Sequence, residues 1–331
     1  MTKINFDTIK LDYSKHDEIT NLVVQNYAVN NGCILHPHWM KNNKINYESL
    51  VIHKGAFESL GWMGDGYPAT TEYKQPYPDK YGFENIFKNF DTIDIQSGMY
   101  QFYKIEELYN QINKFPRKYN KVNILEIGGG YGRTAMFFLS YLGTNCHYVS
   151  VDYVPTSLLF APQVMKQSFP NMLIGDYNSN GKIEDYNFYS LPAWRVNELN
   201  QDNYDICINL HSFQEMEIRS VNFYKEILYS KMKDEGMLFL INNPPEKNNW
   251  YTDHSYYNIE TLFTEFYSKK YPIGADWEKI CGIPTLERAF TKSVPFTILD
   301  TICSQCGHWY GILEGNIESV CPKCGGKNTH V

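Results

Sequence analysis

Three groups of residues have types and spacings that chemistry could use. In NLHSFQEME, His211 and Glu215 stand four apart, directly after the apolar run DICINL. A histidine titrates near neutrality and can take the proton of a poorly ionised hydroxyl, while a carboxylate one helical turn away can orient or charge-stabilise the imidazole. A helix N-terminus beside the ring would keep it neutral and able to accept. The same letters fit a second role: Ser212 with Glu215 three residues on is an SxxE capping box, whose side chains serve the start of a helix. In EIGGGYGR, Glu126 is followed by Gly128, Gly130 and Gly132. Glycines there let the backbone turn sharply and approach a ligand without a Cβ in the way, and the helix that follows offers N–H groups. Near the C-terminus, Cys303 and Cys306 form one CxxC pair and Cys321 and Cys324 another, with 14 residues between the pairs. Two such turns aim four thiolates at one centre, the closed tetrahedral set of a structural zinc site.

These residues need elements to hold them. Short apolar runs alternate with amphipathic segments from residue 119 to 298, the pattern of parallel-sheet βα units. The strand candidates are KVNILEIG, CHYVSVDY, NFYSL, YDICINL, GMLFLINN and a last pair around ERAFTK and PFTILD. Residues 1–118 mix helical-looking pieces with an aromatic, Pro-punctuated stretch, and are expected to form a cap that walls the acceptor site. Residues 299–331 are Gly- and Cys-rich and too short for a core of their own, so the metal would staple them.

Spacing decides between nucleotide-like ligands. A dinucleotide fingerprint would place its third glycine at position 133, where this chain has Arg133. The pattern is instead (D/E)xGxGxG, and EIGGGYG resembles motif I of class I S-adenosylmethionine-dependent methyltransferases. Asp152 ends the next strand candidate 20 residues after Gly132, the place of the acid that grips ribose hydroxyls. Together with VDYVPTSL, SLPAW and SFQEM, these segments resemble the sugar O-methyltransferase family of bacterial glycan loci over roughly residues 95–290. That resemblance implies a Rossmann-like α/β fold with a seven-stranded methyltransferase sheet, here with an N-terminal helical and aromatic cap and a small C-terminal zinc ribbon. It implies S-adenosyl-L-methionine as cofactor, with Glu126 near the methionine end and Gly128, Gly130, Gly132, Asp152, Asp176 and Asn209 among the cofactor-binding residues. The adenine pocket is open between Asp176 and Tyr177 in LIGDYN and Leu191 and Trp194 in SLPAW, depending on which segment is the third strand. His211 would be the base and Glu215 its assistant in methylating a hydroxyl of a sugar, nucleotide-sugar or glycan precursor.

Composition restricts the other readings. With 27 Tyr and 19 Phe among 331 residues the chain is rich in aromatics, and its net charge of −7 supplies no global field for a phosphate backbone. Residues 301–331 set only Lys323 and Lys327 against Glu314 and Glu318, so a zinc-ribbon nucleic-acid protein is the lesser alternative. NPPE at Asn243 to Glu246 is similar to the (D/N)PP(Y/F) motif of amino-methyltransferases, but Glu246 replaces the aromatic and a Pro-rich turn explains it. His36, His38 and Trp39 in HPHW fit an ordinary loop better than a sugar platform. No apolar leader or membrane-length run is found, and the remaining cysteines are scattered, so a cytoplasmic chain is expected, with a small-molecule or glycan acceptor, no membrane partner, and self-association among the options.

Overall fold

VNILEI, CHYVSVD and YDICINL are buried almost throughout, as inner strands of a parallel sheet must be when helices cover both faces. In the computed structural model the described residues are 4, 9–27, 40–41, 44–45, 76–87, 92–116, 120–216, 218–242, 259–272, 285–292, 298–302, 309–313, 318–320 and 327–329. Two compact units divide the chain, Met1–Lys292 and Ser293–Val331.

In the first unit, α1 (His16–Tyr27) and α2 (Thr92–Ile112) precede the sheet. Then follow β1 (Val122–Ile127), α3 (Arg133–Leu142), β2 (Cys146–Asp152), α4 (Pro155–Ser168), β3 (Ile174–Gly175) and β4 (Phe188–Pro192). After them come β5 (Tyr204–Leu210), α5 (Ile218–Lys231), β6 (Met232–Asn242), β7 (Phe263–Lys270) and β8 (Leu286–Lys292). The strands lie in the order β3-β4-β2-β1-β5-β6-β8-β7. β8 runs antiparallel to both neighbours, and the other strands share one direction. The order reverses between β1 and β5, the Rossmann-type switch point where ligands sit beyond the carboxyl ends of the strands.

The sheet has eight strands where seven were expected. The added one is β3, two residues at the edge beyond β4. ERAFTK is β8 as anticipated, but its partner is FTEFYSKK, whose Glu265, Ser268 and Lys269 face solvent and dilute any apolar run. PFTILD instead gives Ile298–Ile302 to the second unit.

One face of the sheet buries Val122, Ile124, Ile206, Ile208 and Phe239 with Phe102 of α2 and Phe137 and Phe138 of α3. The opposite face buries Leu125, Ile127, Val149, Cys207 and Leu240 with Val221, Tyr224 and Leu228 of α5. Each such side chain contributes roughly 1.5–3 kcal/mol on burial, so the two layers hold the strand ends in register. Gly98 lets α2 approach α3 closely: a Cβ there would overlap the Phe137 ring. The segment just before α1 is tied to α4 by paired bonds, Asp12 N to Gln163 Oε1 at 2.6 Å and Gln163 Nε2 to Asp12 O at 2.9 Å.

The second unit contains two antiparallel ribbons, Ile298–Ile302 with Trp309–Leu313 and Glu318–Val320 with Lys327–Thr329. Among the described residues, no helix is long and apolar enough to cross a membrane.

Candidate active site

The carboxyl ends of β1, β2, β5 and β6 meet in one register: Glu126 pairs with Ser150 and Ile208, and Leu210 with Ile241. The loop from β1 carries three glycines at positive φ, Gly128 at 76°, Gly130 at 55° and Gly132 at 91°, a region that side-chain-bearing residues seldom enter. A Cβ on Gly130 would meet nothing within 4 Å, so open space lies above the loop where a ligand could approach the backbone. Gly129 is needed for a different reason, because its Cβ would overlap Ser150 Oγ and lie 2.7 Å from Glu126 Oε2.

Two buried carboxylates flank this loop. Glu126 accepts from Tyr148 Oη at 2.7 Å, and burial pushes its pKa up to about 7 against the pull of Tyr148 and Arg133. Asp152 accepts from the backbone N–H of Gly130 at 3.0 Å, Tyr153 at 2.7 Å and Val154 at 2.8 Å. Burial raises it to about 6, and those three backbone donors with the Ser157 side chain oppose the rise. Asp152 therefore ties the end of β2 to the glycine loop, and its Gly130 bond is the one that a ligand hydroxyl entering over the loop could exchange with.

At the end of β5, Asn209 is fully buried with all four hydrogen-bonding positions engaged. Its Nδ2 donates to Ile127 O at 2.9 Å and Ser212 Oγ at 2.5 Å, and its Oδ1 accepts from Phe213 N at 3.2 Å and Asn242 Nδ2 at 3.0 Å. It joins β1, β5 and β6 through a side-chain amide that is fully engaged, and so positions the strand exits. Ser212 Oγ donates to Ile127 O at 3.1 Å and makes no cap bond, so Ser212 does not form its half of the expected capping box.

His211 leaves the strand with φ 63°, a left-handed turn, and its N–H bonds Ile241 O at 2.6 Å. Its ring stands edge-on to Tyr271, centroids 5.7 Å apart. Phe213–Glu215 is a single 3-10 turn, Met216 is extended, and α5 starts only at Ile218. The helix does not begin by residue 211, so the one-face argument linking His211 to Glu215 loses its geometric basis, and Glu215's side chain lies outside the described residues.

β4, not β3, is the strand next to β2, so Leu191 and Trp194 continue from the third strand of the switch-point half. Leu191 is fully buried, and Trp194 meets Tyr153 edge-on at 5.9 Å. Asp176 follows β3, one strand further out, where Lys166 Nζ at 2.7 Å together with Asn178 and Ser179 holds its pKa below the usual carboxylate range despite burial. The structure thus brings Glu126, the glycine loop, Asp152 and His211 to one edge and leaves Asp176 apart.

The sequence reading missed the groups that close this edge from the α2 side. Tyr271, just past β7, shares its hydroxyl with Ser97 Oγ at 3.0 Å and Gln101 Nε2 at 3.2 Å. Glu287 on β8 accepts from Tyr100 at 2.6 Å and from Tyr267. The bonds to α2 join residues 170 or more apart, which carry no local periodicity that would have exposed them. Cys303, Cys306, Cys321, Cys324, His36, His38, Trp39 and the NPPE residues lie outside the described residues. In chain position, however, each CxxC pair falls in the link between the two strands of one ribbon.

No family model matches the sequence, and neither does any curated protein. Solved structures do. A putative sarcosine dimethylglycine methyltransferase from Galdieria sulphuraria is 9% identical over 60% of this chain and 86% of its own, with a TM-score of 0.43. Geranyl diphosphate C-methyltransferase from Streptomyces coelicolor A3(2), solved with Mg2+, geranyl diphosphate and S-adenosyl-L-homocysteine, is 8% identical over 69% and 90%, TM-score 0.44. The 1,6-didemethyltoxoflavin-N1-methyltransferase of Burkholderia thailandensis is 16% identical over 60% and 79%, TM-score 0.39.

Proposed function

We propose that the protein is an S-adenosylmethionine-dependent methyltransferase acting on a hydroxyl of a sugar, nucleotide-sugar or glycan precursor. The observation that carries the first half is the open glycine loop at the switch point, braced by Asp152 and backed by buried Glu126. Those residues fit the cofactor: Asp152 for the ribose hydroxyls, loop N–H groups for the carboxylate end, Glu126 for the ammonium end. When bound, the cofactor supplies an electrophilic methyl group on a sulfonium, already a good leaving group. The chain's task is then to place a nucleophile in line and remove its proton, and a positioned base is worth typically 10²–10⁴-fold. His211 supports this role by leaving β5 at the edge where the glycine loop opens, its backbone pinned to β6. Glu215 enters as an assistant on sequence grounds only.

The test is direct. Calorimetric titration with S-adenosylmethionine should show saturable binding, weakened at least tenfold in Asp152→Ala. Methyl-labelled cofactor offered with a panel of nucleotide-sugars, glycan precursors and amines should label hydroxyl products; transfer only to amines would replace this reading with N-methylation.

We infer separately that Cys303, Cys306, Cys321 and Cys324 hold a structural zinc ion. Two ribbons, each with a CxxC pair between its two strands in the sequence, suit a four-thiolate centre, and such a centre leaves no open position for catalysis.

A further inference from the structure

Tyr271 lies against the proposed base yet belongs to a distant part of the chain. Its ring is edge-on to His211 and also packs on Tyr100 of α2, with centroids 5.5 Å apart. Its hydroxyl is held from α2 by Ser97 and by Gln101, whose Nε2 also reaches Ser97 Oγ at 3.2 Å. Its backbone N–H bonds Thr285 O at 2.8 Å, which fixes the exit of β7 to the entry of β8. Ser97, Gln101 and Tyr271 are all buried, Gln101 completely. A ring anchored at its hydroxyl, its face and its backbone cannot swing away from its neighbour, whereas His211 stands at a strand exit in a left-handed turn.

We propose that Tyr271 is a positioning residue for His211: clamped by Ser97 and Gln101, its ring holds the imidazole in one orientation toward the acceptor. This rests on His211 serving as the base. α2 thereby takes part in the reaction without touching a reactant. Aligning an imidazole in advance is valuable because a base aimed wrongly spends part of its time unable to reach the proton it must take. The clamp also gives partners to Ser97 and Gln101, polar residues buried on the same helix as Phe102, Ile105 and Leu108. Charged groups acting on Tyr271 include Arg133 of α3 and Glu287 of β8.

The experiment uses full-length protein labelled with 13C at histidine Cε1, the His211 signal being the one lost in His211→Asn. In Tyr271→Leu the His211 titration midpoint should move by about half a pH unit or more, roughly a threefold change in proton affinity. The His16 and His147 signals should stay put, which separates loss of the clamp from general loosening. Tyr271→Phe, which keeps the ring but loses its hydroxyl bonds to Ser97 and Gln101, should shift the midpoint by a measurable fraction of the Tyr271→Leu change, and Gln101→Met should resemble Tyr271→Phe. An unmoved His211 signal in Tyr271→Leu overturns the proposal, as does a shift shared equally by all histidines. Failure of the base assignment is distinguishable: His211→Asn with undiminished methyl transfer removes the base but leaves the coupling of the two rings measurable.

Discussion

His211 occupies a backbone conformation that most side chains avoid, so substitutions there test two things at once. His211→Asn keeps a residue that tolerates left-handed backbone, and its expected loss of turnover by about 10²–10⁴-fold reports the missing base alone. His211→Ala adds backbone strain, and a lower melting temperature for Ala than for Asn would separate the two effects. Gly129 makes a sharper case. Its added methyl in Gly129→Ala has to displace Ser150 Oγ and the Glu126 carboxylate, both buried, at a cost of roughly 1–3 kcal/mol by urea unfolding. Ser150→Ala in the same chain should recover part of that loss.

At the scale of elements, the strand exits are tied together before any ligand arrives. Asn209 bonds β1, its own following turn and β6 at once, so Asn209→Ala should cost about 2–4 kcal/mol of stability by leaving several buried groups unpaired. Cofactor binding should weaken with it, because the strand exits around the glycine loop lose their common tie. Glu126 carries a pH signature. Its folded-state pKa is raised from 4.5 to about 7, so its contribution to stability is complete below pH 4.5 and is lost as pH rises through 7. Glu126→Gln should therefore gain on the wild type across that window, by at most about 3 kcal/mol from the size of the shift. Chemical denaturation at pH 4.5 and pH 8, compared between the two proteins, checks the sign; a gain toward low pH would refute it. Asp152 acts the same way between 3.8 and about 6.

At the scale of the whole molecule, the two compact units make separate demands. The first has apolar layers on both faces of an eight-stranded sheet and is expected to fold without metal. Among its described residues the second has two short ribbons, which are marginal without a further constraint. Metal analysis of freshly purified protein should give one zinc per chain, and Cys306→Ser with Cys324→Ser should abolish it while leaving S-adenosylmethionine affinity within about twofold. Absence of zinc and iron from the wild-type protein would refute the ribbon assignment.

The parts of this protein that sequence alone determined are those written in local patterns. Glycines spaced for positive φ, an acidic residue closing each of two apolar runs, and the run-and-helix alternation are properties of neighbouring residues, and the loop, the inner strands and Asp152 at the end of β2 are where those patterns placed them. Tertiary structure decided what depends on distant partners. The SxxE letters could have capped a helix, but Ser212 lies beside β1, and the carbonyl of Ile127 together with Asn209 claims its hydroxyl instead. Which of two candidate segments is the third strand depended on pairing with β2, and so left Asp176 with Lys166 rather than at the switch point. The Tyr271 clamp joins residues 170 or more positions apart, a contact made only by laying α2 across the sheet and inserting β8 between β6 and β7. Backbone conformation and burial pattern are local choices that a few side chains impose, whereas a hydrogen bond between buried groups belongs to whichever elements packing brings together.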